Sequence, residues 1–277
     1  MNVAKKTIKK IIATLKKKEL FAVPTPVNTT ELLKGKVALI TGGSGGIGKA
    51  IAKSFLRNGC QVIIAGTSQE KLNAVRKEIG EDTDLQSIVI NLNDIKHLPA
   101  KVEEASQIFG RIDILVNSAG INVRKNFMEI DEADYDHVMN VNVKGAFFMS
   151  QAIAEYMIKN HIKGHILNIS SSAALRPANS PYQISKWAIK GFTIGLADKL
   201  LPHGIIVNAI APGPVATEML GKSENESIYK MRQPSGRYAI PSEIAEMAVM
   251  LVSDMGQLVV GDTLYMTGGS GILTLHN

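Results

Sequence analysis

The stretch Thr41-Gly42-Gly43-Ser44-Gly45-Gly46-Ile47-Gly48 constrains this chain more than any other. It follows the apolar run Val37-Ala38-Leu39-Ile40. It precedes a helical pattern in which Ile47, Ile51, Phe55 and Leu56 fall on one side. A strand, a glycine turn and a helix in that order form a cradle for phosphate. Glycines allow the tight turn and the close approach of a pyrophosphate, and the free N–H groups of the helix start face the anion. The glycines read two ways. Gly43, Gly45 and Gly48 fit G-x-G-x-x-G, whereas Gly42, Gly46 and Gly48 fit the narrower T-G-x-x-x-G-x-G. A glycine-rich connection without a ligand is the plain alternative.

From Lys36 onward, apolar runs alternate with helical stretches. The runs are Val37–Ile40, Val62–Ala65, Ser87–Ile90, Ile112–Val116, Ile166–Ile169, Ile205–Ala209 and Leu264–Met266. Continuously apolar runs suit strands buried on both faces, as in a parallel sheet. Strict β-α alternation implies crossover connections and a doubly wound α/β fold of about seven strands, with helices on both faces of the sheet. The length of 277 residues fits one such domain, over residues 33–277, plus an extension over 1–32. Pro24-Thr25-Pro26 separates the two.

The formal charge of +6 is concentrated at one end. Residues 1–18 hold seven lysines and no acid, and the rest of the chain is within one charge of neutral. The body therefore has no general attraction for nucleic acid. In the extension Ile8, Ile11, Ile12 and Leu15 share one helical face among the lysines. Three readings stay open for it: a solvated arm, a contact with a neighbouring subunit, or weak peripheral contact of residues 1–20 with an anionic membrane. It lacks the apolar core of a signal peptide, and no run reaches the length of a membrane span. The single cysteine, Cys60, excludes an internal disulfide and points to a reducing, cytoplasmic setting. It opens an apolar run and reads as buried packing.

The chemistry is carried by Tyr182-Gln-Ile-Ser-Lys186 at the start of a helical pattern. Positions i and i+4 share a face, so phenol and ammonium lie side by side. The ammonium would favour the phenolate and lower the tyrosine pKa, suiting Tyr182 to general acid–base work. Upstream, the strand His165–Ile169 ends in Ser170-Ser171-Ser172, at the carboxyl edge where doubly wound folds bind ligands. The serines are turn formers, or one of them faces Tyr182 and a substrate oxygen. Asn142, flanked by valines on a further helix, is either a satisfied buried amide or a link in a proton relay. No metal-ligand set is expected.

These pieces together resemble the short-chain dehydrogenase/reductases, nearest in flavour to bacterial 3-oxoacyl-(acyl carrier protein) reductases. The matching segments are TGGSGGIG at 41–48, NLND at 91–94, NSAG at 117–120, VNVKG at 141–145, NISSS at 168–172, YQISK at 182–186, VNAIAPGPVAT at 207–217 and GDTLYMTGG at 261–269. The resemblance implies a Rossmann-type sheet and hydride transfer between a nicotinamide cofactor and a secondary alcohol or ketone. It also implies homo-oligomerisation, to a tetramer, through the last strand and the helices around 136–160 and 182–201. By matched position, Tyr182 gives and takes the proton, Lys186 lowers its pKa and holds the nicotinamide ribose, Ser171 polarises the carbonyl and Asn142 holds a relay water. Gly42, Ser44, Gly46, Ile47 and Gly48 would surround the pyrophosphate. Asn91 and Leu92 would flank the adenine, Asn117, Ala119 and Gly120 would line the groove, and Pro212, Gly213, Val215 and Thr217 would sit by the nicotinamide. The chain departs from the family pattern at Ser118 and Thr267, where asparagine and aspartate are usual.

Beyond the second apolar run the chain reads Ala65-Gly66-Thr67-Ser68, with no acid to bind a ribose 2′-hydroxyl. Thr67 and Ser68 can accept a 2′-phosphate instead, so NADP(H) is expected over NAD(H), although Gly45 stands where NADP-type loops often carry a base. The segment 218–237 is expected to cover the substrate pocket as a lid. Arg124, Arg176, Lys222, Lys230, Arg232 and Arg237 around it are either solvated charges or a lure for an anionic substrate. A sugar, polyol or steroid dehydrogenase is the nearest alternative activity. A nucleotide-binding regulator or membrane-recruited scaffold is the alternative of another class.

Overall fold

The computed structural model describes residues 31–80, 84–221, 227–230 and 233–273. The expectations for the extension, up to residue 30, lie outside the described residues. The body begins at a turn over 31–35, where Leu33 is fully buried under the first helix.

Among the described residues the strands are β1 (Val37–Thr41), β2 (Gln61–Gly66), β3 (Leu85–Val89), β4 (Ile114–Asn117), β5 (His165–Ile169), β6 (Ile206–Pro212) and β7 (Thr263–Met266). They form one parallel sheet in the order β3-β2-β1-β4-β5-β6-β7. The helices are α1 (Gly46–Arg57), α2 (Gln69–Ile79), α3 (Leu98–Phe109), α4 (Glu132–Met139), α5 (Ala146–Lys159), α6 (Pro181–Leu200) and α7 (Pro241–Val252). Each expected apolar run falls on a strand. The differences are at the ends. β6 runs on through Ile210, Ala211 and Pro212, because a proline can close a strand that still pairs at Met266 of β7. β4 starts only at Ile114, since Asp113 is drawn into a different role.

The two sheet faces are covered by different helices. Ile51 and Phe55 of α1, Leu72 of α2 and Ile244 and Val249 of α7 pack on one face. Val102 of α3, Met149 and Ile153 of α5 and Leu200 of α6 pack on the other. The strand order reverses between β1 and β4, so a crevice opens at the carboxyl ends of those strands.

Between α4 and α5 the chain makes a π-helical turn over Asn140–Gly145. The extra residue in that turn re-aims Asn142 inward, and a Cβ on Gly145 would stand 2.7 Å from the Leu92 side chain. At the opposite edge of the sheet, Asp113 is buried. Its Oδ2 accepts the Val37 N–H at 3.0 Å, and its Oδ1 accepts the Arg111 guanidinium at 3.0 and 2.5 Å. Arg111 is half exposed, so its attraction is screened, and the buried backbone N–H matters more.

Asp113→Ala is therefore expected to lower folding stability by about 2–4 kcal/mol, as an orphaned buried donor should. Asp113→Asn, which keeps one acceptor, should lose less. Urea unfolding checks both, and equal losses would contradict the assignment to the Val37 N–H.

Candidate active site

The crevice begins with the glycine turn. Gly42 has φ +66° and packs so closely on the next strand's loop that a Cβ would stand 2.7 Å from Ala119 Cα. A Cβ on Gly48 would collide with the Gly42 carbonyl oxygen. The turn is thus closed by its own backbone, and α1 starts over it without any side-chain cap. Its first N–H groups are left for another acceptor.

A cavity of about 520 Å³ lies over this turn. Gly42, Ser44, Gly46, Ile47 and Gly48 form its floor. Thr67 after β2, Asn91 and Leu92 after β3, Ala119 and Gly120 after β4, and Thr217 after β6 form its walls. The volume and the backbone cradle suit a dinucleotide.

Other expected cofactor residues sit elsewhere. Ser68 caps α2, accepting the Lys71 N–H at 3.3 Å, and does not line the cavity. Asn117 points into the sheet, donating to Ser150 Oγ at 2.8 Å and Asn168 Oδ1 at 2.9 Å. As the last residue of a central strand, it is drawn into the polar cluster between sheet and helices rather than towards the groove. Val215 is buried in the core. Pro212 ends β6, and Gly213 lies so close to Thr267 that a Cβ would meet its carbonyl oxygen at 2.7 Å. Gly213 lines a second cavity, of about 190 Å³.

The Tyr182–Lys186 pair sits on the first turns of α6, where Ser180 caps the helix by accepting the Gln183 N–H. The Lys186 Nζ is buried and donates to the Ile169 carbonyl, the end of β5, at 2.8 Å. It lies 5.5 Å from the Tyr182 ring centroid. Ser170 Oγ donates to the Lys186 carbonyl at 3.1 Å. Ser171 is the serine that hydrogen-bonds with Tyr182, and its Oγ also accepts the Ala173 N–H. Ser172 begins a short 3-10 turn.

Asn142 is a satisfied buried amide. Its Oδ1 accepts the Ile121 N–H at 2.9 Å, and its Nδ2 donates to the Ile121 carbonyl at 2.9 Å and Ser185 Oγ at 3.1 Å. It also stands beside the lysine: a Cβ on Gly120 would be 3.6 Å from Asn142 Oδ1 and 3.7 Å from Lys186 Nζ.

The electrostatics differ from the sequence expectation. Burial pushes the Tyr182 phenol up, and the Ser171 hydrogen bond only partly opposes this. The neighbouring ammonium, held on the Ile169 carbonyl, does not outweigh this loss of water. Burial also brings Lys186 itself down to about 8. Cys60 is pushed up by burial, consistent with an inert packed thiol.

The described cations of this set all have partners, although Arg124, Arg176 and Arg237 stay exposed to solvent. Arg124 donates to the Met219 carbonyl, Arg176 to Ser270 Oγ and Lys230 to Tyr238 Oη. Arg237 makes a two-pronged pair with Glu243 at 2.9 and 2.6 Å. Lys222 and Arg232 lie outside the described residues. Sequence reasoning missed several cavity residues: Thr41, Lys71, Asn93, Ile121, His137 and Met219. Lys71 had a signal, since it falls on the first turn of a helix whose Ser68 cap is visible in the sequence.

The family model for short chain dehydrogenases matches residues 36–227. A 3-oxoacyl-(acyl-carrier-protein) reductase of Thermotoga maritima is 38% identical over 242 residues, covering 86% of this chain and 98% of that protein. A 2-dehydro-3-deoxy-D-gluconate 5-dehydrogenase of Dickeya dadantii is 36% identical, covering 86% and 96%. The crystal structure of a 3-ketoacyl-(acyl-carrier-protein) reductase from Brucella melitensis complexed with NADH has a TM-score of 0.79 at 32% identity, covering 87% of this chain and all of that one. A gluconate 5-dehydrogenase from Burkholderia cenocepacia in complex with NADP and tartrate has a TM-score of 0.80 at 30% identity, covering 87% and 97%. This chain belongs to the short-chain dehydrogenase/reductase family. It is a nicotinamide-dependent oxidoreductase that interconverts a carbonyl and an alcohol.

The lowered Lys186 pKa has a thermodynamic consequence. Between about pH 8, its folded value, and 10.5, its ordinary one, the unfolded chain binds more protons than the folded one. Stability attributable to this group therefore rises with pH across that window. Relative to Lys186→Met, the wild type should gain about 1–3 kcal/mol between about pH 7.5 and about pH 10. Urea unfolding at the two pH values measures the difference; parallel changes in both proteins would contradict the buried ammonium.

Proposed function

We propose that this enzyme reduces the ketone of a 3-oxoacyl thioester or a similar carbonyl compound, with NADP(H) preferred over NAD(H). The observation that carries the reading is Tyr182 and Lys186 on one helix turn, against the end of β5, with Lys186 near Gly120 of the cavity wall. Relatives of both reductase and gluconate-dehydrogenase type support carbonyl chemistry, and a sugar acid is the second reading on the strength of the gluconate relatives.

When bound, the nicotinamide supplies or accepts the hydride. The chain supplies orientation and the proton. Tyr182 Oη holds its proton at neutral pH because burial disfavours the phenolate, so it suits donation to a developing alkoxide. Ser171 Oγ donates a hydrogen bond to the substrate oxygen and lines it up with the phenol. Lys186 holds the ribose and replenishes the tyrosine proton. Asn142 Oδ1 and Lys186 Nζ both lie near Gly120, and in this reading water held beside them carries the relay outward. Gly42, Ser44, Gly46, Ile47 and Gly48 take the pyrophosphate, Asn91 and Leu92 the adenine side, and Thr217 closes over Gly46.

The enzyme works as a homo-oligomer in this reading. Phe147 on α5 and Ile184, Trp187 and Ile194 on α6 are large apolar side chains left 39–55% exposed, and Phe147 packs on Phe192 at 5.2 Å. A second copy would cover this face. Light scattering at micromolar concentration is expected to give a mass above one chain, ideally four. A clean monomer would count against the assembly.

Tyr182→Phe is expected to lower kcat with a 3-oxoacyl thioester by about 10²–10⁴-fold, the usual contribution of a general acid. Its NADPH affinity should stay within about threefold, since the ring is retained. Steady-state kinetics and fluorescence titration check the two parts. Turnover near the wild-type value would sink the role given to the phenol.

A further inference from the structure

The cavity offers very little positive charge to a polyanionic ligand. Among the described residues lining it, Lys71 alone bears a permanent cation, and His137 is the one other side chain there that can become positive. Nearby cations are already engaged. Lys49 and Lys53 of α1 both pair with Glu78 of α2, at 2.9 and 2.8 Å, and Arg76 donates to the Leu85 carbonyl. Lys71 has no ion pair or side-chain hydrogen bond among the described residues.

Its position narrows the ligand group it meets. Lys71 lies on the first turn of α2, just past β2, and shares the cavity wall with Gly66 and Thr67. In folds of this kind the end of the second strand faces the adenosine ribose, while the pyrophosphate sits at the start of the first helix. Ser44 Oγ would lie 3.5 Å from a Cβ on Gly66, so the glycine turn and the β2 end meet there. The start of α2 adds the partial positive charge of its exposed N–H groups. Lys71 therefore stands at the ribose end of the cavity and away from the diphosphate. No carboxylate occupies Ala65, Gly66, Thr67 or Ser68 to repel a second anion. At Gly45, where a base is often found, a Cβ would meet nothing closer than the Gly42 carbonyl at 3.4 Å, so space is not what excludes a base there.

We propose that Lys71 is the specificity-determining residue for the ribose 2′-phosphate, taking from α2 the role that the glycine turn leaves vacant. Thr67 supplies a hydroxyl beside it, and the ammonium supplies the charge. The inference rests on the reading of the cavity as a dinucleotide site. An exposed lysine of this kind discriminates through a charge-assisted contact that salt weakens.

The test is equilibrium binding to the full-length chain, measured by calorimetry, with NADP⁺, NAD⁺, 2′,5′-ADP, 3′,5′-ADP and ADP as ligands. Lys71→Met should weaken NADP⁺ and 2′,5′-ADP about tenfold to a hundredfold, the range for a hydrogen bond to a charged group. NAD⁺ and ADP should change by less than about threefold, so the ratio of the two cofactors carries the result. Lys71→Arg should recover most of the NADP⁺ affinity. The 3′,5′-ADP arm separates a 2′-phosphate site from one for the 3′-phosphate of a coenzyme thioester, and its affinity should not follow the charge at 71. The side chain is on the surface, and thermal unfolding of each variant should match the wild type. An unchanged NADP⁺ to NAD⁺ ratio in Lys71→Met, or a loss confined to 3′,5′-ADP, would overturn the assignment and leave the cofactor reading standing. A wild type that binds none of the five would remove the cofactor reading and this assignment together.

Discussion

The close backbone contact between Gly48 and the Gly42 carbonyl is the constraint on which the rest of the site depends. It folds the chain from β1 into α1 with no side chain between them. It sits where the strand order reverses, so the turn faces open space and not another crossover. Ala119 of the neighbouring loop lies against Gly42, and Thr217, after β6, lies against Gly46. Two walls of the cavity are thus referenced to the same few glycines. A side chain at any of these positions would push the walls apart before it touched a ligand.

A second set of contacts fixes the groups to which the proposed chemistry assigns roles. The end of β5 holds the Lys186 ammonium through the Ile169 carbonyl, and the Ser170 hydroxyl ties back to the lysine's own backbone. Asn142 joins the π-helical turn, the Ile121 backbone and Ser185 of α6. The three elements share buried polar groups that are each satisfied, which fixes their relative positions more sharply than apolar packing would. The same burial shifts the titrating groups. It raises the phenol, lowers the ammonium to about 8 and so favours neutral forms of both.

Much of this was legible in the sequence because the signals were local. Seven apolar runs gave seven strands among the described residues, and the glycine turn floors the crevice because a short motif carries its own spacing. What was not legible depended on direction or burial. Asn117 ends a strand as expected, but its amide turns inward to Ser150 and Asn168, and nothing in the order of residues says which way a strand-end side chain faces. The π-helical turn at 140–145 inserts one residue into a pattern that otherwise reads as continuous helix. Lys71 lies on a surface helix, and the fold sets it apart from Lys49 and Lys53, which share the Glu78 carboxylate. Sequence spacing shows a charge next to Tyr182 but not the loss of water around both groups, and that loss sets the sign of the Tyr182 shift.

In the function proposed above, the glycine turn between β1 and α1 is a pyrophosphate cradle that requires the bare backbone at Gly48. Its most direct test is titration of the full-length protein and of Gly48→Ala with NADPH, followed by the cofactor's fluorescence, with far-ultraviolet circular dichroism on both. Saturable binding to the wild type is expected, with a loss of about tenfold or more in a Gly48→Ala protein that keeps its secondary structure. Wild-type affinity in a folded Gly48→Ala variant would contradict it.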